Sequence, residues 1–334
     1  MNAPANDHTG AGTMPGDDQV LAFRTLKSRT QGRVVRLGAT ADAILSAHDY
    51  PEPVTRVLGE ALALTALLGA LVRTDGRLIL QTKTDGPLHQ LVVHFTSPGD
   101  MRALARFDKD RLETLIAEGR LGQGHLLGTG HLAMTIDPGG SEPRTQGIVT
   151  LANHDLAQAA HTYFRQSEQI PTFVRLAVAR HQVRSGNGAA PAWRWRAGGL
   201  ILQRLPDDVG DGESESGPVA EAERDDDHLV GDLEEDWQRA RMLASTVEDH
   251  ELLDPTLPAE RLLLRLFAEE GVRAAAPLPV RAHCGCTRER VENLLKGFGA
   301  EELADMREES GSVTVTCDYC KAKYRFAADE VEQF

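Results

Sequence analysis

The sequence predicts an α+β protein in three parts: an N-terminal domain of antiparallel sheets packed with helices, a helical linker, and a small C-terminal zinc-binding domain. Hairpin signals recur over residues 19–206. An acidic run and two amphipathic helical stripes follow, and all four cysteines lie in the last fifth of the chain. A length of 334 residues suits two or three domains, and 41% apolar residues suffice for a sizeable core.

The opening residues, MNAPANDHTGAGTMPGDD, lack the charged and apolar parts of a secretory signal, so residues 1–18 are expected to be a disordered tail and the compartment the reducing cytoplasm. Residues 54–72 are the most apolar segment. Arg56, Glu60, Thr65 and Gly69 interrupt them, leaving an uncharged stretch of about a dozen residues, too short for a membrane span. They read as a helix buried on most sides. GRLILQTKTDGPLHQLVVHF gives two strands joined by an Asp85-Gly86-Pro87 turn. GHLAMTIDPGG and TQGIVTL give two more around Pro138-Gly139-Gly140. Leu156, Ala160, Tyr163 and Phe164 fall at helical spacing, and SEQIPT then leads into the strand TFVRLAVARHQV. Strands in hairpins with helices between them favour an α+β domain over a doubly wound one.

The net charge of −14 is concentrated: residues 207–236 hold fourteen acidic residues against one arginine, and the rest is close to neutral. No basic footprint for nucleic acid remains. Residues 207–229 are expected to be a disordered acidic insertion, because they hold too little apolar surface to offset ordering entropy. Beyond it, Trp237, Ala240, Leu243, Ala244 and Val247 form one helical stripe. Leu262, Leu263, Leu266 and Phe267 form another, begun by Pro258 and closed by Gly271. Short helices of this kind depend on tertiary packing, so residues 230–279 form a linker that must dock on something. The ordinary reading is that they complete the core; the sharper one is that docking is conditional.

Residues 280–334 begin with the pair Cys284 and Cys286. A helix is expected at about residues 288–296, with Thr287 as N-cap and Gly297 past its end, and a second near residues 301–308. The strands SVTVT and KYRF flank the Cys317/Cys320 knuckle. The core available is Val291, Leu294, Leu295, Phe298, Tyr324, Phe326 and a few neighbours, small enough to need a staple such as a metal. Cys284, Cys286, Cys317 and Cys320 fit a tetrahedral site with four thiolates, with Arg281, Arg288, Arg290, Lys321 and Lys323 near in sequence to offset its negative charge. His283 reads as a neighbour of the ligands rather than a ligand. Spacing alone leaves open a permanent zinc ribbon and an oxidation-labile site in which each pair could close a local disulfide. A thioredoxin-like oxidoreductase fits less well, since its C-x-x-C opens a helix.

CGCTRERVENLLKGFG, the interval to VTCDYCKAKYRF, YFRQSEQIPT and LLLRLFAEEGVR together resemble the redox-regulated 33 kDa heat-shock protein family of bacterial holdase chaperones, over nearly the whole of residues 20–326. The N-terminal tail and the acidic insertion are longer than that family leads one to expect. The resemblance implies one zinc per chain held by Cys284, Cys286, Cys317 and Cys320 in a reduced, inactive form. It implies that oxidants form the disulfides Cys284–Cys286 and Cys317–Cys320 and release the metal. The linker and zinc domain then unfold, unfolding client proteins bind, and activated chains form homodimers.

Chemistry elsewhere is not expected. GRLGQGHLLGTGH lacks the Walker lysine and the dinucleotide spacing and reads as turns between strands. His125 and His131 read as surface or packing residues, and YFRQSEQIPT as structural. The chain is expected to be no enzyme, with no catalytic residue, no cofactor besides zinc, and no nucleic-acid or membrane partner.

Overall fold

In the computed structural model, residues 16–72, 75–140, 142–183, 191–205 and 233–331 are described; the acidic insertion and the first fifteen residues lie outside them. The first strands are β1 (Gln19–Thr25) and β2 (Thr30–Leu37), followed by α1 (Ala39–Leu45) and α2 (Glu52–Gly69). Fourteen of the eighteen residues of α2 are buried. A helix apolar on all sides needs cover on all sides, and two sheets supply it.

The first hairpins predicted from sequence are present as β3 (Arg77–Thr84) with β4 (Gln90–Thr96), and β6 (Thr129–Asp137) with β7 (Thr145–Ala152). Between them lie β5 (Asp100–Arg106), α3 (Lys109–Ala117) and α4 (Gln123–Leu127). The glycine-rich stretch before β6 therefore contains a short helix, not turns alone; His125 and His131 are exposed in it. Next, α5 (Leu156–Tyr163) is held by a capping box between Asp155 and Gln158, and a π-turn at Phe164–Glu168 leads to β8 (Thr172–Val183) and β9 (Ala192–Arg204). YFRQSEQIPT thus has the structural role expected of it.

The remaining elements are α6 (Leu233–Ser245), α7 (Asp249–Leu253), α8 (Ala259–Phe267), β10 (Val272–Ala274), β11 (Leu278–Pro279) and β12 (Arg281–Ala282). The last are α9 (Arg288–Leu295), α10 (Ala300–Asp305), β13 (Val313–Thr316), β14 (Lys323–Phe326) and α11 (Ala328–Val331). Residues 230–279 are therefore not helical throughout: β10 and β11 pair antiparallel with β1. One sheet runs β10-β1-β2-β9-β8 and the other β12-β5-β4-β3-β6-β7. The two enclose α2, which meets Val35 and Ile201 of the first and Leu80, Val93 and Met101 of the second in one core.

The first sheet is apolar on both faces. Away from α2, Leu21, Phe23, Val34, Ala177, Leu200 and Leu202 meet Trp237, Ala240 and Ala244 of α6, Leu252 of α7, and Leu262, Leu263, Leu266 and Phe267 of α8. The Phe23 and Phe267 rings stack at 5.5 Å. Each buried Leu or Phe contributes about 2 kcal/mol, so this face, rather than helix propensity, keeps α6 to α8 in place.

Within that apolar face sits a polar clasp. Arg36 donates from Nη1 to the carbonyls of Asp254 (2.9 Å) and Leu257 and from Nη2 to Glu251 (2.7 Å). Arg196 donates from Nε to Leu253 O at 2.7 Å and holds Asp17 in a bidentate pair at 2.6 and 2.7 Å. Both guanidiniums meet the carbonyls at and beyond the C-terminal end of α7, where cations are favoured. Asp17 and Asp18, expected in the disordered tail, are buried instead. Asp18 accepts from the backbone N–H groups of Gly38, Ala39 and Thr40 at the start of α1. Between Arg196 and Leu200, Gly198 lets α7 approach so closely that a Cβ there would lie 2.6 Å from Leu252 O.

Gly198→Ala is therefore expected to lift α7 at a cost of about 2 kcal/mol. Hydrogen exchange should show amides of α7 exchanging roughly thirtyfold faster with α2 unchanged. A second expectation concerns Glu60, whose carboxyl burial pushes up to about 7 against the ordinary 4.5. The folded state then favours the proton, so this contribution to stability is present below about pH 4.5 and lost as pH rises towards 7. Glu60→Gln should stabilise the fold by about 2 kcal/mol at pH 8 and little at pH 4, by thermal denaturation.

Candidate metal centre

The C-terminal module is built from α9, the β13–β14 hairpin and the loops between. Thr287 caps α9 by accepting from Arg290 N at 3.3 Å, as its sequence position predicts. The knuckle reverses between β13 and β14: Cys317 N donates to Ala322 O and Lys321 N to Cys317 O, both at 2.9 Å. Lys321 takes φ 57°, the left-handed conformation that closes the reversal. Val291, Leu295, Leu303, Val313, Phe326 and Val331 form the buried core, with Phe298 and Tyr324 partly buried against it. Leu294, expected in this core, is 59% exposed because α9 turns it outward. The helix expected near residues 301–308 is the shorter α10.

The two loops bring all four sulfurs to within 4.8 Å of one another, a cluster that could hold a metal ion. Cys284 Sγ lies 3.7 Å from Cys317 Sγ, and Cys286 Sγ 3.3 Å from Cys320 Sγ. The four are free thiols, and Cys284 is the buried one. A hydrogen bond from Cys284 and the backbone N–H groups of Cys320 and Tyr319 bring the Cys317 thiol down to about 4. The same sulfur contact and burial push Cys284 up, and burial pushes Cys320 up to about 11. Tyr324 donates its hydroxyl to Cys286 O (2.8 Å) and reaches Cys286 Sγ (3.2 Å), fixing the first loop against the β13–β14 hairpin.

The arginines near the cysteines in sequence are engaged with other groups. Arg281 pairs with Asp100 at 2.7 Å, and Arg288 pairs with Glu330 at 2.6 Å while lying over the Phe326 ring. Arg290 donates to Gly285 O within the first loop. The His283 ring stands 3.9 Å from Asp100 and its amide donates to Met101 O.

Sequence reasoning passed over the groups that anchor the knuckle to the second sheet. Tyr319 O accepts from His48 Nε2 at 2.9 Å, and the Tyr319 hydroxyl lies 3.0 Å from His94 Nε2. Burial and the nearby Arg102 and Arg77 hold the His94 imidazole down to about 4, so a neutral ring is present to accept that hydroxyl proton. Arg102 lies 4.3 Å over the Tyr319 ring, and Arg106 pairs with Asp318 at 3.1 Å. The only signal for these in sequence is a tyrosine inside the C-x-x-C.

A four-thiol module anchored to a two-sheet domain, with helices laid over that domain's outer face, defines a class of thiol-rich metal-module protein. A family profile described as Hsp33 protein matches residues 18–327. The 33 kDa chaperonin of Caulobacter vibrioides is 40% identical over 311 residues, covering 92% of this chain and 94% of that protein. That of Nitrosococcus oceani is 38% identical over 320 residues, covering 96% and 95%. The crystal structure of the Thermotoga maritima Hsp33 homologue matches with a TM-score of 0.66 at 21% identity, covering 95% and 97%, a likeness of fold. This chain belongs to the Hsp33 family, and that membership supports a chaperone function. Among the described residues, no helix is long and apolar enough to cross a membrane.

Tyr319→Ala removes the ring beneath Arg102 and the hydroxyl's contact with His94, while the backbone carbonyl held by His48 remains. It is expected to weaken the module's hold on the second sheet by about 2 kcal/mol, with amides of β12 exchanging roughly thirtyfold faster.

Proposed function

We propose that this protein is an ATP-independent holdase switched on by oxidation, with a core domain at residues 19–206, a releasable linker at 230–279 and a redox module at 280–334. The observation that carries the proposal is the juxtaposition of two sequence-local cysteine pairs in one cluster, behind a linker that covers an apolar sheet face. Cys284, Cys286, Cys317 and Cys320 would hold one zinc ion. The donor set fits: four thiolates are a usual zinc set, and tetrahedral bonds of 2.3 Å place sulfurs about 3.8 Å apart, against 3.7 and 3.3 Å here. When bound, the ion cross-links the two loops and supplies folding free energy, on the order of 10 kcal/mol for such modules.

The cysteines have two alternatives, metal ligation or disulfide. Cys284 with Cys286, and Cys317 with Cys320, each give up two electrons to a peroxide. One S–S bond forms per pair, and each peroxide takes up two protons and leaves as two waters. A disulfide sulfur no longer carries the thiolate charge that holds a cation. The six-residue core of the module then stands alone, and residues 280–334 unfold with the linker. Leu21, Phe23, Val34, Leu200 and Leu202 lose their cover and become available to unfolding client proteins, and to a second activated chain as a homodimer. None of these steps needs a nucleotide, a nucleic acid or a membrane, and cytoplasmic thiol chemistry suffices to reset the cysteines.

Client aggregation followed by light scattering tests this. Protein treated with peroxide at mild heat is expected to suppress aggregation while reduced, zinc-loaded protein does not; equal suppression by both would defeat the switch. A chromogenic chelator should register about one zinc released per chain as the disulfides form, and zinc retained after both pairs oxidise would contradict the mechanism.

A further inference from the structure

The second sheet ends on β12, a strand of two residues that stand just before Cys284. It runs parallel to β5, with Arg281 opposite Asp100 and Ala282 opposite Met101. Arg281 N donates to Gly99 O and His283 N to Met101 O, both at 2.9 Å. The entering chain crosses Gly99 so closely that a Cβ there would lie 2.1 Å from Pro279 O. Further along the same edge, one side chain stands where a neighbouring strand would. The Tyr50 hydroxyl donates to Ala105 O and accepts from Ala105 N, each at 3.0 Å. On the face of the sheet beside this edge, Tyr319 lies under Arg102 and against His94, and Asp318 pairs with Arg106. His48, which holds Tyr319 O, stacks on Tyr50 at 4.5 Å.

Apart from Tyr50, each of these covers on the β5 edge comes from the cysteine module or from the residues leading into it. If the module unfolds, the edge loses β12 and the knuckle together. Tyr50 stays on Ala105, so the opened part of the edge runs from Gly99 to Leu104, where backbone donors and acceptors stand at every second position, a template for another extended chain.

We propose that β5 is a strand-addition site for clients, resting on the reading that oxidation unfolds the module. An extended segment of a non-native polypeptide takes the place of β12 along Asp100–Leu104, short of the Ala105 backbone that Tyr50 keeps. An aromatic side chain of that segment fills the seat between Arg102 and His94 that Tyr319 occupies at rest. The kind of partner follows from the two occupants now present: extended backbone running parallel to β5 and, from the other cysteine loop, an aromatic ring seated beside it. Main-chain pairing recognises any extended segment, whatever its side chains, which suits a protein that must accept many clients. The apolar face uncovered by the linker holds side chains; the β5 edge holds backbone.

The test uses the full chain after peroxide treatment and a fluorescent eight-residue peptide of alternating Val and Thr with one central Phe. Two versions carry N-methyl groups on alternate amides, one version for each edge of the peptide. Fluorescence anisotropy is expected to show that methylating one edge raises Kd at least tenfold while methylating the other changes it little. Replacing the Phe with Ala should raise Kd about fivefold, and the parent peptide should protect amides of residues 100–104 from hydrogen exchange. Equal binding by both methylated versions, or protection confined to β1, β2 and β9, would overturn strand addition. If oxidised protein still suppresses aggregation in that case, only this inference falls. If oxidised protein neither suppresses aggregation nor unfolds its module, the redox-switch reading itself falls.

Discussion

Four sulfur atoms from two loops meet beside the small apolar core of the C-terminal module, and on the proposed reading a metal held by them would supply the stability that packing there lacks. Six buried side chains are a small core for a segment of this length, and a module so built is as stable as its cross-link. Everything docked through the module inherits that dependence. The knuckle is fixed to the second sheet through Tyr319, and the first cysteine loop continues a strand of that sheet. The backbone N–H of Val280, the residue after β11, donates to the carbonyl of Asp18, whose carboxylate caps α1. One chemical event at sulfur therefore acts on contacts spread over both sheets.

The linker faces a surface with mixed preferences. Its leucines and phenylalanine gain from burial on β1, β2 and β9, while Arg36 and Arg196 give up water to lie beneath α7. Arg36 Nε is a buried side-chain nitrogen with no hydrogen-bond partner, and burial pulls the Arg36 guanidinium below its usual range. Removing a cation from water is costly even when carbonyls replace part of its hydration. The apolar contacts favour the closed state, and the arginines lower the cost of leaving it.

Much of this was legible in the sequence because local pattern and local structure coincide. The β3–β4 and β6–β7 hairpins carry alternation and turn residues, Thr287 reads as a cap, and the stripes of α6 and α8 bury the residues their spacing singles out. The four cysteines announced their cluster by spacing alone. The clasp and the knuckle's anchor were not legible, for one physical reason: their partners are remote. Arg36 meets carbonyls more than two hundred positions away, and His94 meets a tyrosine 225 positions away. On β9, Arg194 and Arg196 alternate with tryptophan and alanine as surface residues would, yet Arg196 is buried because Asp17 reaches it from a segment that reads as tail. Leu294 fails in the opposite sense, an apolar residue at a plausible helical position that nothing covers.

The enclosed helix α2 has a bearing on how such a chain could return to rest. Its buried residues are surrounded by the two sheets, and no side chain of α6, α7 or α8 belongs to that core. Were the last hundred residues to melt as proposed, that core would lose only Val280, Ala282 and the partly buried Leu278, and Gly198, Arg36 and Phe23 would stay set in the sheet where the linker left them. The body acts as a mould. On that reading, recovery would amount to recasting a short segment against a finished surface, a search far smaller than folding the chain anew, which would suit repeated use rather than a single discharge.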